Sequence, residues 1–500
     1  MMDSFSNLFN GLSVALQVQN ILYCFGGALI GTLIGVLPGL GPVATIAILL
    51  PVTFYLPPVA ALVMLAGIYY GAQYGGSTTA ILVNLPGESS SIVTCLDGYQ
   101  MARSGRAGPA LGIAALSSLY AGVITVFVMT IFATGLSEMA MHFGAAEYFS
   151  LMVLGLVAAV IMAQGSVISA LAMVFLGLLL SLIGTDVSSG VQRMTFGMFD
   201  LSDGIDFVPL AMGLFAVAEI IKNLAEPEDR IVLKGKIGRL LPNWDDVRRS
   251  APAATRGTIL GSFLGLLPGG GPTLGSFAAY TLEKRLSKTP EKFGTGMVEG
   301  VAGPEAANNS SAQTSFIPLL TLGIPSNPTM AMMAGAMLIH GIQPGPDVMT
   351  KNPDIFWGLI ASMLLGNVML VIINLPLIGV WVSLLKIPYR LFYPAILVFC
   401  CIGAYSVNSN PFDIVVMIVF GFVGYAFMKW KAEPAPLILA FILGPLIEEY
   451  FRRAMLLSQG NPTTFISRPI SFSLLLVSAA LIGFTLLSFF RRMQRKEASA

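Results

Sequence analysis

The 500-residue chain has little charge, since Asp, Glu, Lys and Arg make up 11% of the sequence, against about 25% in typical soluble domains. Its hydrophobic fraction is 55%, and its mean hydropathy is +0.80. A soluble protein of this length needs more polar residues to cover its surface. The composition therefore predicts a polytopic membrane protein with little soluble mass. The net charge of +1 argues against nucleic acid as a partner.

The sequence also has few cysteines and histidines, and none stands at the spacing of a zinc site or a catalytic pair. It contains no HExxH, P-loop or GxSxG motif. We therefore expect no enzyme activity, no metal site and no cofactor. The N-terminal segment lacks a basic region and a small-residue cleavage site, so we expect no cleaved signal peptide. The cysteines and histidines are Cys24, Cys95, Cys400, Cys401, His142 and His340.

Two short phrases of nearly the same sequence stand far apart in the chain. Residues 31–42 read GTLIGVLPGLGP and residues 261–272 read GSFLGLLPGGGP, so Pro268 follows Pro38 by 230 residues. Proline removes a backbone donor and glycine permits left-handed geometry, so a helix cannot continue through either phrase. Free peptide groups are costly in lipid, so each break must be buried in protein or line a wet cavity. A single break of this kind often only helps helices to pack. Paired breaks in two halves are instead typical of the binding site of a secondary transporter.

Apolar segments of about 20 residues, the length that crosses a bilayer as a helix, recur through the chain. Together with shorter apolar segments beside the two breaks, they predict an all-α polytopic membrane protein with about 10–12 spans. The first half contains segments 20–37, 43–56, 58–72, 109–135, 146–163, 166–184 and 207–224. The second half contains segments 253–267, 273–283, 329–343, 355–386, 391–407, 411–429, 434–450 and 466–490.

A long charged run separates the two halves. Loops rich in Lys and Arg face the cytoplasm, so this run and the basic C-terminal end are both predicted to be cytoplasmic. The expected organisation is a first membrane repeat at 1–224, a linker at 225–252, a second membrane repeat at 253–490 and a tail at 491–500.

The second break lies in a segment, 253–283, with basic loops at both ends. Its arms of roughly 12–15 residues are too short to cross a hydrocarbon core of about 30 Å. This favours a re-entrant hairpin from the cytoplasm that turns at Pro268–Pro272. The first break, at Pro38–Pro42, has charge-poor flanks that suit the outer face. Hairpins from opposite sides predict two inverted repeats with Gly/Pro-broken helices. Segment 20–37 is long enough to span, so a kinked through-span stays open as the alternative.

Small polar residues cluster beside both breaks. Hydroxyls and amides can donate to a carboxylate or accept from a cation, and half-helix N-termini attract anions. For any single residue of this kind, hydrogen bonding between membrane helices is an equally good interpretation. For clusters beside paired breaks, substrate binding is the better one. The predicted substrate-binding residues are Pro38, Gly39, Gly41, Ser77, Thr78, Thr79, Asn84, Gly87, Gly269, Gly270, Gly271, Asn308, Asn309, Ser310, Pro325 and Ser326.

Acidic residues inside membrane segments are candidates for ion coupling. Glu305 and Glu88 lie beside the polar clusters, and we predict that they bind the coupling ion together with Asn309. The competing interpretation of Glu305 is a negative charge after a Gly-Pro pair at a helix N-terminus, where the helix dipole favours it. Asp97 and Glu299 are expected only at the membrane interface.

These phrases resemble the large membrane subunit of the tripartite tricarboxylate transporters, through nearly the whole chain. The resemblance rests on residues 35–42, 74–87, 97–102, 265–272, 303–309 and 322–328. It implies a multi-pass secondary carrier of the bacterial inner membrane that imports an organic acid, such as citrate or another di- or tricarboxylate. Uptake would be driven by a Na⁺ or H⁺ gradient and not by ATP.

The same resemblance implies two partner proteins. One is a small membrane subunit of about four spans, and the other is a periplasmic solute-binding protein that delivers the acid. This chain has Ser326-Asn327 after Pro325, where the family pattern has Gly-Ser, and the difference would alter the fit of the substrate.

Three other functions are compatible with an all-helical membrane chain. An enzyme acting on lipid-linked substrates would need a buried acid or histidine pair, for which Glu305 and His340 are the only hints. A channel needs no paired helix breaks. A scaffold without transport predicts that Asn308→Ala and Ser77→Ala are neutral. The paired breaks favour the carrier.

Overall fold

The computed structural model of the chain describes residues 2–37, 41–140, 142–163, 166–186, 189–225, 238–267, 271–385 and 393–497. In these ranges the chain is almost entirely helical, and its only strands form a small antiparallel hairpin, β1 (Gly184–Thr185) and β2 (Gln192–Arg193). The prediction of an all-α fold is confirmed. Outside the described residues lie 226–237 of the predicted linker and the predicted site residues Pro38, Gly39, Gly269 and Gly270.

The α-helices follow in chain order. Those of the first half are α1 (Met2–Ala15), α2 (Val18–Val36), α3 (Pro42–Thr53), α4 (Pro58–Val83), α5 (Ile92–Met101), α6 (Ala107–Ala140), α7 (Ala145–Met162), α8 (Val167–Ser181), α9 (Phe207–Ala211) and α10 (Ala218–Ala225). Short 3-10 helices lie at Ser89–Ser91, Phe199–Leu201 and Pro290–Lys292, and π-helical turns lie at Ala102–Arg106 and Met212–Val217.

The remaining helices belong to the second half. They are α11 (Trp244–Leu266), α12 (Gly271–Leu286), α13 (Glu299–Thr314), α14 (Phe316–Leu322), α15 (Pro328–Ile339), α16 (Asp347–Lys351), α17 (Pro353–Asn374), α18 (Ile378–Leu384), α19 (Tyr393–Asn408), α20 (Pro411–Lys429), α21 (Ala435–Leu457), α22 (Thr464–Ser467) and α23 (Pro469–Glu497).

Several of these helices have the length and composition of membrane spans. Within the described part of the chain, five helical segments are long and apolar enough to cross a bilayer: Val18–Val36, Ser89–Gly135, Phe207–Ala225, Pro353–Asn374 and Pro411–Lys429. Shorter apolar helices accompany them, among them Pro42–Phe54, Ala145–Ile161 and Pro328–Ile339. The prediction of a multi-pass membrane protein is therefore confirmed.

Several helices differ from the predicted segments. α4 continues beyond its predicted end to Val83, because its Gly- and Ser-rich turns are buried and keep helical hydrogen bonding. α11 starts inside the predicted linker, since Asn243 and Asp246 form a capping box at its N-terminus. The predicted span 355–386 is two helices, α17 and α18, because a helix does not continue through Pro376.

The Pro-Gly phrases end helices as predicted. α2 ends at Val36 and α3 begins at Pro42, while α11 ends at Leu266 and α12 begins at Gly271 with φ +48°. The prediction of short arms is wrong for α11, which has 23 residues. Its first two turns are charged, so the apolar part of the arm is shorter than the helix.

The chain forms two compact units, each drawing on both halves of the sequence. The first is Met1–Ser137 with Val208–Tyr425, and it contains both Pro-Gly phrases and all the predicted site residues. The second is Glu138–Phe207 with Ala426–Ala500. In the second unit, Arg468 bonds Glu147 at the start of α7 (2.8 Å), and Gly177 of α8 lets the backbone of α21 approach closely.

In the first unit, α2 and α4 are in backbone-to-backbone contact. α2 presents a glycine to α4 at every fourth residue, and a Cβ at any of these positions would collide with a carbonyl oxygen of α4. The pairs are Gly27 with Met64, Gly31 with Ile68 and Gly35 with Ala72. The residue numbers rise together along both helices, so α2 and α4 run parallel.

The same contact recurs between α11 and α13. Its glycines follow those of α2 by 230 residues, and each packs against a main-chain oxygen of α13. The pairs are Gly257 with Gly303, Gly261 with Ala307 and Gly265 with Ser311. Each Pro-Gly phrase is thus preceded by a glycine-lined helix that runs parallel to the second helix after the break. We name α2–α4 and α11–α13 the two break motifs.

Gly27→Ala is expected to lower the melting temperature of the purified chain, because the added methyl group meets the carbonyl oxygen of Met64. Overpacking of this kind costs about 1–3 kcal/mol. Gly26→Ala is the matched control: Gly26 is the preceding residue of α2, and its Cβ position is open. That variant should melt at the same temperature or slightly higher. Melting can be followed by size-exclusion of heated samples in detergent, and equal losses in both variants would contradict the close contact.

Candidate functional site

Glu305, on the second turn of α13, is the centre of a buried polar cluster and is 1% exposed. Ser77 of α4 places its Oγ 2.8 Å from both carboxyl oxygens, and Thr94 of α5 donates a hydrogen bond to one of them. Among the described residues, no Lys or Arg forms an ion pair with Glu305, and its side-chain partners are hydroxyls. The carboxyl therefore joins helices from both halves of the sequence without a neutralising cation.

Asn309 attaches this cluster to α6. Its Nδ2 donates to Ser118 Oγ (2.7 Å) and to the main-chain oxygen of Glu305 (3.1 Å). Asn309 was predicted to bind both substrate and coupling ion. Here it orients Ser118, which lies on the same side of α13 as the Glu305 carboxyl.

A small cavity adjoins the Glu305 carboxyl. Its volume of about 10 Å³ is enough for about one water molecule. An organic acid is too large for it. The cavity has a polar side formed by Tyr74, Ser77, Thr78, Ser118, Glu305 and Asn374, and an apolar side formed by Leu111, Ala114, Ala115, Leu375 and Ile378.

Three helix N-termini lie together near this cluster. Ser89 opens the helical segment that leads into α5, and its Oγ is 2.8 Å from Thr273 Oγ1 in the first turn of α12. A Cβ on Gly271, where α12 starts, would lie 3.6 Å from the Cβ of Asn327, which caps α15. Helix N-termini carry partial positive charge and free N–H groups, so together they form an anion-binding environment.

Asn308 is a buried amide without a hydrogen-bond partner. It is 1% exposed, and neither amide atom has a partner within the described part of the chain. Ser311 Oγ, one turn further along α13, and Asn327 Nδ2 are also without a partner there. A buried polar group left without a partner costs about 1–3 kcal/mol. A ligand that bonds these atoms would remove this cost.

Several predicted site residues have structural contacts instead of facing Glu305. Thr79 donates to carbonyl oxygens at the end of α2, and Ser310 packs against Gly261. Ser326 donates to the main-chain oxygen of Ser315. Thr78 bonds its own helix and lines the cavity, and Asn84 ends α4 with an exposed side chain. Gly87 is packed on Gly35 and Gly76. Gly41 precedes α3, and Pro325 lies in the buried turn before α15.

The two polar turns have the same backbone course. Asn84 and Gly323 end α4 and α14 in the left-handed region, with φ of 58° and 73°. Four residues after each of them, Glu88 (φ −152°, ψ 168°) and Asn327 (φ −155°, ψ 170°) cap the next helix. The carboxylate of Glu88 in the first half thus occupies the position of the Asn327 amide in the second.

Asp97 is a structural residue that sequence reasoning placed only at the membrane interface. It is fully buried, and its Oδ1 accepts from the main-chain N–H groups of Gly294, Gly296 and Met297 at 2.7–2.9 Å. Its Oδ2 accepts from the Tyr280 hydroxyl at 2.9 Å. Asp97 of the first half therefore holds the loop between α12 and α13 of the second.

Ion pairs join the helices of the second break motif to one another. Arg256 bonds Glu283 through both guanidinium nitrogens (2.7 and 2.5 Å), which joins α11 to α12. Arg249 bonds Glu299 in the same way (2.9 and 2.8 Å), which joins α11 to α13, and this bonding raises the pKa of Arg249. Glu299 therefore has a partner inside the fold, and is more than an interfacial charge.

Comparison with known proteins gives one family model and two similar proteins. The family model described as "Tripartite tricarboxylate transporter TctA family" matches residues 21–439. A protein of Agrobacterium vitis, described as "Uncharacterized 52.8 kDa protein in TAR-I ttuC' 3'region", is 56% identical over 496 residues, 99% of each chain. A second one from that organism, "Uncharacterized protein in TAR-II ttuC' 3'region", is 60% identical over 215 residues, which are 43% of this chain and 89% of the relative. No solved structure matches.

Asp97→Ala is expected to destabilise the chain by about 2–5 kcal/mol, because three buried N–H groups lose their acceptor. Tyr280→Phe removes a single hydrogen bond and should cost about 1 kcal/mol. Melting temperatures of the two purified variants test the order of these effects, and limited proteolysis of the loop after α12 tests their location. An Asp97→Ala chain as stable as the parent would show that the loop does not depend on this carboxylate.

Proposed function

The chain belongs to the tripartite tricarboxylate transporter TctA family, a family of transporter components and not of enzymes, and on this premise we propose that it carries an organic acid across the bacterial inner membrane. In this proposal a periplasmic solute-binding protein delivers the acid. A small membrane subunit of about four spans accompanies the chain. An ion gradient drives uptake.

The observation that carries the proposal is that three helix N-termini lie together beside unpartnered amides. They are the N-termini of α12, of α15 and of the helical segment that leads into α5. Asn308 and Asn327 can donate to carboxylate oxygens, as can the free N–H groups of the first helical turns. Such donors neutralise an anion without a guanidinium clamp. The separate N-termini suit a substrate with several carboxylates, such as citrate or another di- or tricarboxylate.

The two acids near this site support coupling to a cation. Glu305 lies among hydroxyls, and Glu88 accepts from Ser90, which is also 3.0 Å from Gln73 Oε1. A carboxylate substrate beside two carboxyls is repelled unless cations accompany it. Symport with Na⁺ or H⁺ removes this repulsion.

We also propose that the two halves are inverted repeats. α2 runs parallel to α4, and α11 runs parallel to α13. The helices α4 and α13 are antiparallel to each other: Ser77 meets Glu305, whereas Tyr70, two turns earlier in α4, lies 6.1 Å between ring centroids from Phe316, beyond the end of α13. This arrangement supports hairpins that enter from opposite sides of the membrane, with their tips near the middle.

Asn308→Ala is expected to weaken substrate binding without weakening the fold. The apparent KM for the acid should rise about 10- to 150-fold, since one donor to a carboxylate is worth about 1.5–3 kcal/mol. The melting temperature should stay equal or rise, because an unpartnered buried amide is removed. Asn367→Ala is the matched control, since Asn367 is also a buried asparagine with an unpartnered oxygen but packs against Gly122. An unchanged KM in Asn308→Ala would contradict the assignment.

Uptake of labelled citrate into proteoliposomes tests the function. The vesicles hold this chain with its small subunit, and the binding protein is added or withheld under an imposed Na⁺ gradient and then a pH gradient. Accumulation should require the binding protein and one of the two gradients. If citrate fails, melting shifts of the binding protein identify other organic acids to try. Failure of every acid, or flux independent of both gradients, would overturn the proposal.

A further inference from the structure

We propose that the cavity beside Glu305 is a binding site for one dehydrated Na⁺ ion. The inference rests on the transport function proposed above, for which it names the coupling ion and the residues that hold it. The site is separate from the helix N-termini assigned to the substrate. Its position is defined by Tyr74, Ser77, Ser118, Glu305 and Asn374, whose side chains line the cavity.

The donor atoms of the cavity are all oxygens. They comprise a carboxyl, four hydroxyls and a side-chain carbonyl, the ligands that hard cations prefer. Ser77 and Thr94 bond the Glu305 carboxyl, so its oxygens are held in place beside the cavity. One carboxylate balances one monovalent charge. No group of three or more His, Cys, Asp or Glu suited to a metal ion occurs in the described ranges, so the cavity lacks the several carboxylates that commonly hold a divalent ion.

Two of these oxygens are buried without a hydrogen-bond partner. Tyr74 Oη and Asn374 Oδ1 have no partner in the described part of the chain, although the residues are only 5% and 4% exposed. The orientation of Asn374 is fixed, because its Nδ2 donates to the main-chain oxygen of Leu370 (2.8 Å) and to Thr32 Oγ1 (3.3 Å). Its Oδ1 is therefore left over as an acceptor. A cation in the cavity would satisfy both oxygens.

The size of the cavity favours Na⁺ over larger ions. The volume of about 10 Å³ admits about one water molecule. Na⁺ without its hydration shell is smaller than a water molecule and can make short contacts to several oxygens here, whereas K⁺ is about as large as a water molecule and requires longer contacts to its ligands. A water could satisfy the same oxygens if the buried Glu305 carboxyl were protonated, whereas Na⁺ would hold it as the carboxylate.

The test is the melting temperature of the purified chain in detergent without substrate, measured over a series of Na⁺ concentrations. K⁺ replaces Na⁺ to keep the ionic strength constant. A ligand that binds only the folded state stabilises it in proportion to the logarithm of its concentration above Kd. Na⁺ should therefore raise the melting temperature, and K⁺ should not. Glu305→Gln should abolish the difference between the ions.

A conservative pair of variants keeps the test valid if Glu305→Gln fails to fold. Tyr74→Phe removes only the hydroxyl at the cavity, and it should raise the Na⁺ concentration for half-maximal stabilisation about three- to tenfold. Tyr70→Phe is the matched control, because Tyr70 has a buried, unpartnered hydroxyl one turn earlier on α4 but does not line the cavity. Its Na⁺ response should equal that of the parent chain.

The outcomes separate this inference from the transport proposal. Equal melting temperatures in Na⁺ and K⁺, together with uptake driven by a pH gradient in Na⁺-free buffer, would overturn the Na⁺ site and leave the carrier. A Na⁺-specific shift that depends on Tyr74, in a chain that transports no acid under any gradient, would support the site and overturn the carrier. An equal loss of Na⁺ response in Tyr74→Phe and Tyr70→Phe would also contradict the site.

Discussion

The fold depends on the requirement that backbone polar groups inside a membrane find partners. A Pro-Gly phrase in an apolar segment violates this requirement unless protein surrounds it. Here each phrase follows a helix whose glycines bring it against the backbone of a parallel neighbour, α4 or α13. The helix that leads into each break is thus packed against the backbone of another helix. Close backbone contact is what makes an interrupted helix tolerable, and the interruption is what provides free N–H groups for a ligand.

The polar cluster in the first unit has an unusual charge composition for a family that carries tricarboxylates. Its described members are carboxyls, hydroxyls and amides. The arginines of α11 are paired with acids of the same break motif, Arg249 with Glu299 and Arg256 with Glu283. Attraction for an anion therefore comes from helix ends. In the proposed mechanism this separates two tasks: the ion pairs hold helices together, and a site without Arg or Lys would release its substrate once the accompanying cation leaves.

The ends of several helices and the polar clusters could be predicted from local sequence patterns. Prolines and glycines mark the ends of α2 and α11, and small polar residues were predicted to cluster beside both breaks. Contacts between distant segments were not predictable. Nothing in the sequence near Asp97 indicates that it accepts three N–H groups from a loop almost 200 residues away. Likewise, Ser77, Thr79 and Ser310 have similar local sequence, but only Ser77 faces Glu305, because helix rotation is fixed by packing partners.

The glycine contacts also have a mechanical consequence. Helices whose backbones touch cannot slide past one another without collision, so each break motif is expected to move as a single body. Apart from the bonds of Asp97 to the loop after α12, the contacts between the two halves near the site include single hydroxyl contacts, such as Ser77 with Glu305 and Ser89 with Thr273. These bonds are individually weak, and they lie where substrate and cation would bind. Binding of substrate and cation would therefore change these contacts directly. Binding would in this way be coupled to the movement of one break motif relative to the other.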